Sequence, residues 1–129
     1  MQIKLTSIMV DDQDRALKFY TDVLGFQKKY EIPVGAYRWI TLVSPEGHDD
    51  VELALEPNAN PAAKTFQEAM FAQSIPLAAF EVADMEKEHA RLKGQGVVFT
   101  QGPVTAGPVI IAVFSDTCGN LIQLYQPVA

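Results

Sequence analysis

The strongest constraint on the fold is that the second half of the chain repeats the first half at a nearly constant spacing. Three pairs of matching residues lie 72 positions apart: Leu5 with Leu77, Val10 with Val82, and Asp12 with Asp84. Two further matches lie 71 positions apart: Gly25 with Gly96, and Val51-Glu52-Leu53 with Ile122-Gln123-Leu124. An offset that holds across several elements indicates an internal duplication, with one residue lost between helix and strand.

Both halves show the same order of elements, one strand, one helix and three more strands. In the first half, alternation and turn residues predict strands over residues 3–10, 26–32, 37–44 and 50–56, and a helix from Asp12 to Gly25. In the second half they predict strands over residues 77–82, 97–101, 109–115 and 121–126, and a helix from Asp84 to Gly94. A further helix is predicted over residues 62–73. This order predicts an α+β fold in which two βαβββ modules form a cupped mixed sheet with helices on the outer face.

A chain of 129 residues is expected to form a single domain, residues 1–129. The modules occupy about residues 1–56 and 76–129, and a loop and helix at 57–75 link them. One helix covers only one face of a sheet, and strand alternation places Leu5 and Ser7 on the face opposite to Ile8 and Val10. The uncovered face is therefore predicted to be a cavity or an interface. Because that face is apolar, we expect a homodimer.

Charge and cysteine content exclude several kinds of partner and location. The 16 acidic residues outnumber the 10 basic ones, for a formal net charge of −6, which disfavours nucleic acid and anionic membrane surfaces. No apolar stretch approaches the roughly 18 residues of a membrane span. The single cysteine, Cys118, cannot form an intrachain disulfide. A cytoplasmic protein with no membrane or nucleic-acid partner is expected.

Three motifs carry a resemblance to a known family: Met9 to Tyr20 (MVDDQDRALKFY), Val23-Leu24-Gly25-Phe26, and Asp116 to Leu124 (DTCGNLIQL). They resemble the vicinal oxygen chelate superfamily, also called the glyoxalase, bleomycin resistance and ring-cleaving dioxygenase superfamily. The resemblance covers nearly the whole chain. It implies paired βαβββ modules with an active cavity inside the cup, frequently completed by a dimer.

The resemblance also implies a divalent metal held by one side chain on the first strand and one on the last strand of each module. Leu5 and Leu77 stand at the first-strand positions, where the family commonly has His or Gln, and neither has a donor atom. Glu52 and Gln123 stand at the last-strand positions. Such a set is two ligands short of a typical site, so no metal and no cofactor are expected.

The two histidines do not restore that site. His48 lies in a turn beside Asp49 and Asp50, where an exposed loop position is expected. His89 falls between Met85 and Leu92 at helical spacing, which predicts packing at the edge of the helix–sheet interface. Cys118 has no basic neighbour in sequence that would lower its pKa, so it is not predicted to be a nucleophile.

The remaining residues favour the binding of a small molecule. Leu5, Ser7 and Leu77 would give the cup an apolar floor for an apolar or aromatic molecule. Glu52 and Gln123 are expected to face the same cavity. Arg38 and Trp39 follow each other in a strand and so lie on opposite faces, and either face could line the cup. An inward Arg38 would clamp an anion, whereas an inward Trp39 would stack on a ring.

Three functions remain open at this point. The first hypothesis is a metal-independent superfamily protein that binds a small apolar or aromatic molecule, as the drug-sequestering resistance proteins do. The alternative is an enzyme, a lyase, isomerase or dioxygenase that uses Glu52 as acid or base or recruits a metal. In that case Glu52 is the best catalytic candidate. The third is an interaction module whose sheet face makes a homodimer.

Overall fold

The structure, a computed structural model, describes residues 1–128. Contacts divide the chain into two compact units, the first comprising Met1–Gln67 and the second beginning at Glu68. Each unit contains one four-stranded mixed sheet. The helix α2, Pro61–Ala72, begins in the first unit. Over the described residues, no helix is both long and apolar enough to cross a membrane.

The sheet of the first unit has the strand order β1-β4-β3-β2. Its strands are β1 (Leu5–Val10), β2 (Gln27–Val34), β3 (Tyr37–Val43) and β4 (Glu52–Pro57). β1 and β4 are parallel, and the other pairs are antiparallel. The helix α1, Gln13–Lys18, continues into a π-helical turn, Phe19–Val23, and connects β1 to β2.

The sheet of the second unit has the equivalent order, β5-β8-β7-β6. Its strands are β5 (Ala78–Glu81), β6 (Phe99–Ala106), β7 (Val109–Ser115) and β8 (Leu121–Pro127). β5 and β8 are parallel, and the helix α3, Met85–Gly94, connects β5 to β6. Two βαβββ modules and the α+β class are thus confirmed.

The two helices of the repeat begin in the same way. The side chains of Asp12 and Asp84 accept hydrogen bonds from the backbone N–H groups of Arg15 and Lys87, three residues later. These bonds satisfy amide groups that have no partner within the first turn of a helix. Gly25, with φ of 93°, adopts the left-handed conformation after the π-helical turn. The sequence signals for both helices therefore correspond to their observed ends.

Strand β6 is longer than the sequence pattern predicts, because the prediction ends at Gln101 and the strand continues to Ala106. Gly102 and Pro103 follow directly after the predicted end. Between Gln101 and Val104 the pairing with β7 shifts register, so Gly102 and Pro103 lie in an irregularity of the ladder. A strand tolerates proline there because no ladder hydrogen bond requires its missing N–H.

Each helix covers one face of its sheet. In the first unit the helical residues Ala16 and Tyr20 and the strand residues on that face are fully or almost fully buried, the latter being Ile8, Val10, Ile40, Leu42 and Leu55. In the second unit the His89 ring of α3 lies 4.4 Å from the ring of Phe99, which in turn contacts Phe114. The predicted place of His89, at the edge of the helix–sheet interface, is confirmed. We call the other side of each sheet its helix-free face.

The motif at residues 116–120 forms a tight turn before β8. The buried carboxylate of Asp116 accepts hydrogen bonds from the backbone N–H groups of Cys118 and Asn120 and from the Asn120 side chain. Thr117 and Gly119 both have positive φ, at 65° and 99°. The turn therefore requires an aspartate at its first position, residue 116, and a glycine at residue 119. Cys118 within the turn is buried.

Gln13 ties α1 to the two central strands of the first sheet. Its side-chain amide donates to the backbone carbonyls of Arg38 and Leu55, at 2.6 and 2.9 Å, and accepts from the Arg38 N–H at 3.2 Å. The residue is buried, so these backbone groups have little access to water. Removing the amide would remove all three hydrogen bonds from these backbone groups.

We predict that Gln13→Leu lowers the free energy of unfolding by about 2–4 kcal/mol, since a buried group left without its hydrogen bond costs about 1–3 kcal/mol. Urea denaturation measures the change. Gln2→Leu, at an exposed position before β1, is the control and should change stability by less than about 0.5 kcal/mol. Equal effects of the two substitutions would show that the Gln13 bonds do not hold α1 to the sheet.

Candidate functional site

The helix-free face of the first sheet carries four of the residues that the sequence assigned to a binding site. Leu5 of β1 is the direct register partner of Glu52 on β4, and Ser7 pairs with Ala54. Ala54 in turn pairs with Thr41 of β3. Paired residues lie on the same face, and residues two apart in a strand do too. Leu5, Ser7, Glu52 and Trp39 therefore share one face.

Arg38 lies on the opposite face, together with α1. Its guanidinium donates to Asp14 of α1 and to Glu31 of β2, each at 2.6 Å. The hydrogen bonds to Asp14 and Glu31 raise the pKa of Arg38 above its ordinary value. Of the two alternatives for this strand, Trp39 is the residue on the face of Leu5 and Glu52. Arg38 is a structural clamp between helix and sheet, and the anion clamp considered for it does not form on that face.

Glu52 has a cation beside it that the sequence pattern did not indicate. The ammonium group of Lys29 lies 3.6 Å from Glu52 Oε2, and 32% of the Lys29 side chain and 20% of the Glu52 side chain are exposed to solvent. The same ammonium donates to the backbone carbonyl of Asp49 at 3.0 Å. A partly buried carboxylate next to an apolar residue such as Leu5 needs a nearby positive charge or donor, and Lys29 supplies it.

A bulge in β2 places Lys29 there. Lys28 pairs with Leu42 and Tyr30 pairs with Thr41, so β2 has one more residue than β3 between these two pairs. The extra residue is Lys29. Without the bulge, strand alternation would place Lys29 and Tyr30 on opposite faces. With it, Tyr30 shares the helix-free face with Thr41 while Lys29 reaches Glu52, and no local sequence signal distinguishes this arrangement from a regular strand.

The second sheet carries the other two predicted residues. Gln123 of β8 pairs with Ala79 of β5 and Val113 of β7, which places it on the helix-free face of that sheet. Leu77 donates its backbone N–H to the Leu121 carbonyl, immediately before β5 begins. Both residues are half-buried. Leu77 thus lies two register positions from Gln123, whereas Leu5 is directly opposite Glu52.

The strand register changes one part of the repeat alignment. Thr41 pairs with Ala54, and Val113, 72 residues after Thr41, pairs with Gln123. The structural equivalent of Gln123 is therefore Ala54, and Glu52 is displaced from it by two residues. A shift of two residues preserves the face, so both Glu52 and Gln123 remain on the helix-free faces of their own sheets.

The side chains at the four positions where the resemblance implies metal ligands offer few donor atoms. Two are leucines without donor atoms, and the carboxylate of Glu52 lies beside an ammonium group. Nowhere in the described part of the chain do three His, Cys, Asp or Glu side chains come together as a group able to hold a metal ion. A hard or borderline cation needs several converging oxygen or nitrogen donors, and an ammonium competes with it for the carboxylate.

Part of the helix-free face of the first sheet is apolar and open to solvent, whereas Thr41 and Ala54 on the same face are fully buried. Leu5 is 50 % exposed, and three residues of the β2–β3 hairpin, Ile32, Val34 and Tyr37, are exposed to a similar extent. Trp39, two residues from Tyr37, is half-buried. Clusters of exposed apolar side chains of this kind mark binding or association surfaces.

Comparison with known proteins agrees with this fold. The sequence model of the Glyoxalase/Bleomycin resistance protein/Dioxygenase superfamily matches residues 2–124. The chain is 57% identical over 126 residues to the protein YurT of Bacillus subtilis (strain 168), covering 98% of this chain and 99% of that protein. It is 29% identical over 128 residues to lactoylglutathione lyase of Haemophilus influenzae, covering 98% of this chain and 93% of the enzyme.

A solved structure shows the same fold. TnmS3, an antibiotic binding protein from Streptomyces sp. CB03234, superimposes with a TM-score of 0.78 at 28% sequence identity. The match covers 98% of this chain and 96% of that one. One relative is thus an enzyme and the other a binding protein.

We predict that Arg38→Gln lowers stability at pH 7 and that the loss shrinks in acid. Hydrogen bonds from Lys28 and Arg38 lower the pKa of Glu31 from 4.5. The contribution of that carboxylate is therefore complete above pH 4.5 and disappears as the pH falls through its lower folded-state pKa. Urea denaturation of both proteins at pH 7 and below pH 4.5 tests this. Lys64→Gln, on the exposed surface of α2, is the control, and a loss that does not change with pH would contradict the prediction.

Proposed function

This chain belongs to the Glyoxalase/Bleomycin resistance protein/Dioxygenase superfamily, and we propose that it binds a small apolar or aromatic molecule without the help of a metal. The ligand lies on the helix-free face of the first sheet, against Leu5, Ser7 and Trp39, with the Glu52–Lys29 pair at its edge. Leu77 and Gln123 are proposed to contact a ligand on the helix-free face of the second sheet. In this proposal both modules act as one domain.

The observation that carries the proposal is the pairing of Leu5 with Glu52, whose charge Lys29 balances. Where a metalloenzyme of the superfamily would place a charged centre, this chain has an apolar side chain and an internal ion pair. Such a surface attracts apolar groups by burial and offers an aromatic ring at Trp39 for stacking. The likeness to TnmS3, an antibiotic binding protein, supports the same class of function.

An enzyme is the second candidate, and the 29% identity to lactoylglutathione lyase favours it. Glu52 would then be the acid or base, because it is the carboxylate on the helix-free face next to Leu5. The ammonium group of Lys29 lies 3.6 Å from Glu52 Oε2. Elemental analysis of dialysed protein separates the two candidates. A stoichiometric metal that is lost in Glu52→Gln would favour the metalloenzyme, and we expect none.

We also propose that the chain forms a homodimer through the exposed apolar residues of the β2–β3 hairpin. Ile32, Val34 and Tyr37 lie side by side on the helix-free face and are each about half exposed. A soluble monomer rarely leaves such a cluster open to water, and a second copy is a common way to cover it.

For the binding site we predict that Leu5→Gln weakens the binding of 2-naphthol, a small aromatic probe, by about tenfold. The substitution replaces apolar contact area with a polar amide that the probe cannot satisfy. Equilibrium dialysis measures the affinity. Thr6→Gln, on the other face of the same strand, is the matched control and should leave the affinity unchanged. Equal losses in both variants would place the ligand elsewhere.

For the dimer we predict that light scattering at micromolar concentration gives twice the mass of one chain. The double substitution Ile32→Glu and Val34→Glu should shift the mass to that of a monomer, because two carboxylates would be buried in the interface. Val98→Glu, at an exposed valine outside the hairpin, is the control and should remain dimeric. A wild-type protein that is monomeric throughout a dilution series would contradict the proposal.

A further inference from the structure

Thr41 carries a buried hydroxyl group without a partner. Its side chain is completely buried, with 0% of its surface exposed. Within residues 1–128, Thr41 Oγ1 is the only buried side-chain oxygen or nitrogen that has no hydrogen-bond partner. A buried hydroxyl without a hydrogen bond destabilises the folded state, so most proteins either pair such a group or replace it with valine.

The position of Thr41 connects this hydroxyl with the proposed ligand. One register row crosses the whole first sheet on its helix-free face, and its members are Ser7, Ala54, Thr41 and Tyr30. Trp39 lies two residues before Thr41 on the same strand and the same face. The hydroxyl is thus on a central strand of the face, near two aromatic residues and next to the small side chain of Ala54.

We infer that Thr41 is a specificity-determining residue, whose hydroxyl pairs with a hydrogen-bonding oxygen of an aromatic ligand. This inference rests on the proposed function and names the ligand class more closely, as an aromatic molecule that bears a hydroxyl or carbonyl group. The ring lies against Trp39 and Tyr30, and its oxygen meets Thr41 Oγ1. Because Thr41 is closed off in the free protein, the entering ligand displaces the neighbouring side chains and gives the hydroxyl the partner it lacks.

Two physical arguments support this assignment. A threonine hydroxyl both donates and accepts, so it pairs equally with a phenol or a carbonyl. A site with an unpaired polar group discriminates strongly between a ligand that satisfies it and an analogue that does not, because the analogue leaves the group buried and unpaired. The hydroxyl would therefore lower the stability of the free protein and raise the selectivity of the bound one.

The test compares Thr41→Val, which keeps the shape and removes the hydroxyl, with Thr41→Ser, which keeps the hydroxyl. Two matched probes are used in equilibrium dialysis: 2-naphthol, which carries one hydroxyl, and naphthalene, which carries none. We expect wild type and Thr41→Ser to favour 2-naphthol over naphthalene. Thr41→Val should lose about tenfold in 2-naphthol affinity and keep its naphthalene affinity within about twofold.

Thermal melting of the free proteins is a second measurement, and it needs no ligand. Thr41→Val should melt at or above the temperature of the wild type, because it removes an unsatisfied buried group. A clear fall in melting temperature would show that the hydroxyl has a partner in the free protein, and it would overturn the inference.

The remaining outcomes separate the two proposals. If wild type binds both probes and Thr41→Val keeps the same preference between them, the inference fails and the proposed function stands. If wild type binds neither probe, the proposed function fails and the inference falls with it.

Discussion

A single helix covers only one face of a four-stranded sheet, and each module of this chain supplies one such helix between its first two strands. The consequence is seen at two neighbouring residues. Arg38 faces α1, where Asp14 and Glu31 neutralise it, and Trp39 faces the other way. The helix side holds the buried core, with Gln13 binding the backbone of both central strands. In our proposal the opposite side takes a ligand and a second copy.

The charged groups on the helix-free face of the first sheet determine which chemistry this face can support. A lone carboxylate on an apolar face would be costly, and a metal or a proton would be an obvious remedy. Here the bulge at Lys29 provides an internal cation for Glu52, and Leu5 occupies the position directly opposite. The fold is that of a superfamily with both enzymes and binding proteins, and our proposal of binding rests on these residues.

Stability and function make different demands at Thr41. The interior of the first sheet satisfies its other buried polar side chains well: Gln13 and Gln67 both bind backbone carbonyls. A hydroxyl without a partner in that setting is an exception, and exceptions of this kind are concentrated at functional sites. Its place on the helix-free face, near Tyr30 and Trp39, makes a ligand the natural partner in our proposal.

The sequence by itself determined the order of elements, the duplication, the capping aspartates and the two-faced character of each strand, because these features depend on local spacing. It predicted that Arg38 and Trp39 lie on opposite faces but not which of them faces the helix, since alternation gives relative faces only. Tertiary structure decided that choice through the contact of Arg38 with Asp14. The observed strand register makes Ala54, and not Glu52, the structural equivalent of Gln123, and the bulge in β2 brings Lys29 to Glu52. Register and bulges depend on the partner strand, which is distant in sequence.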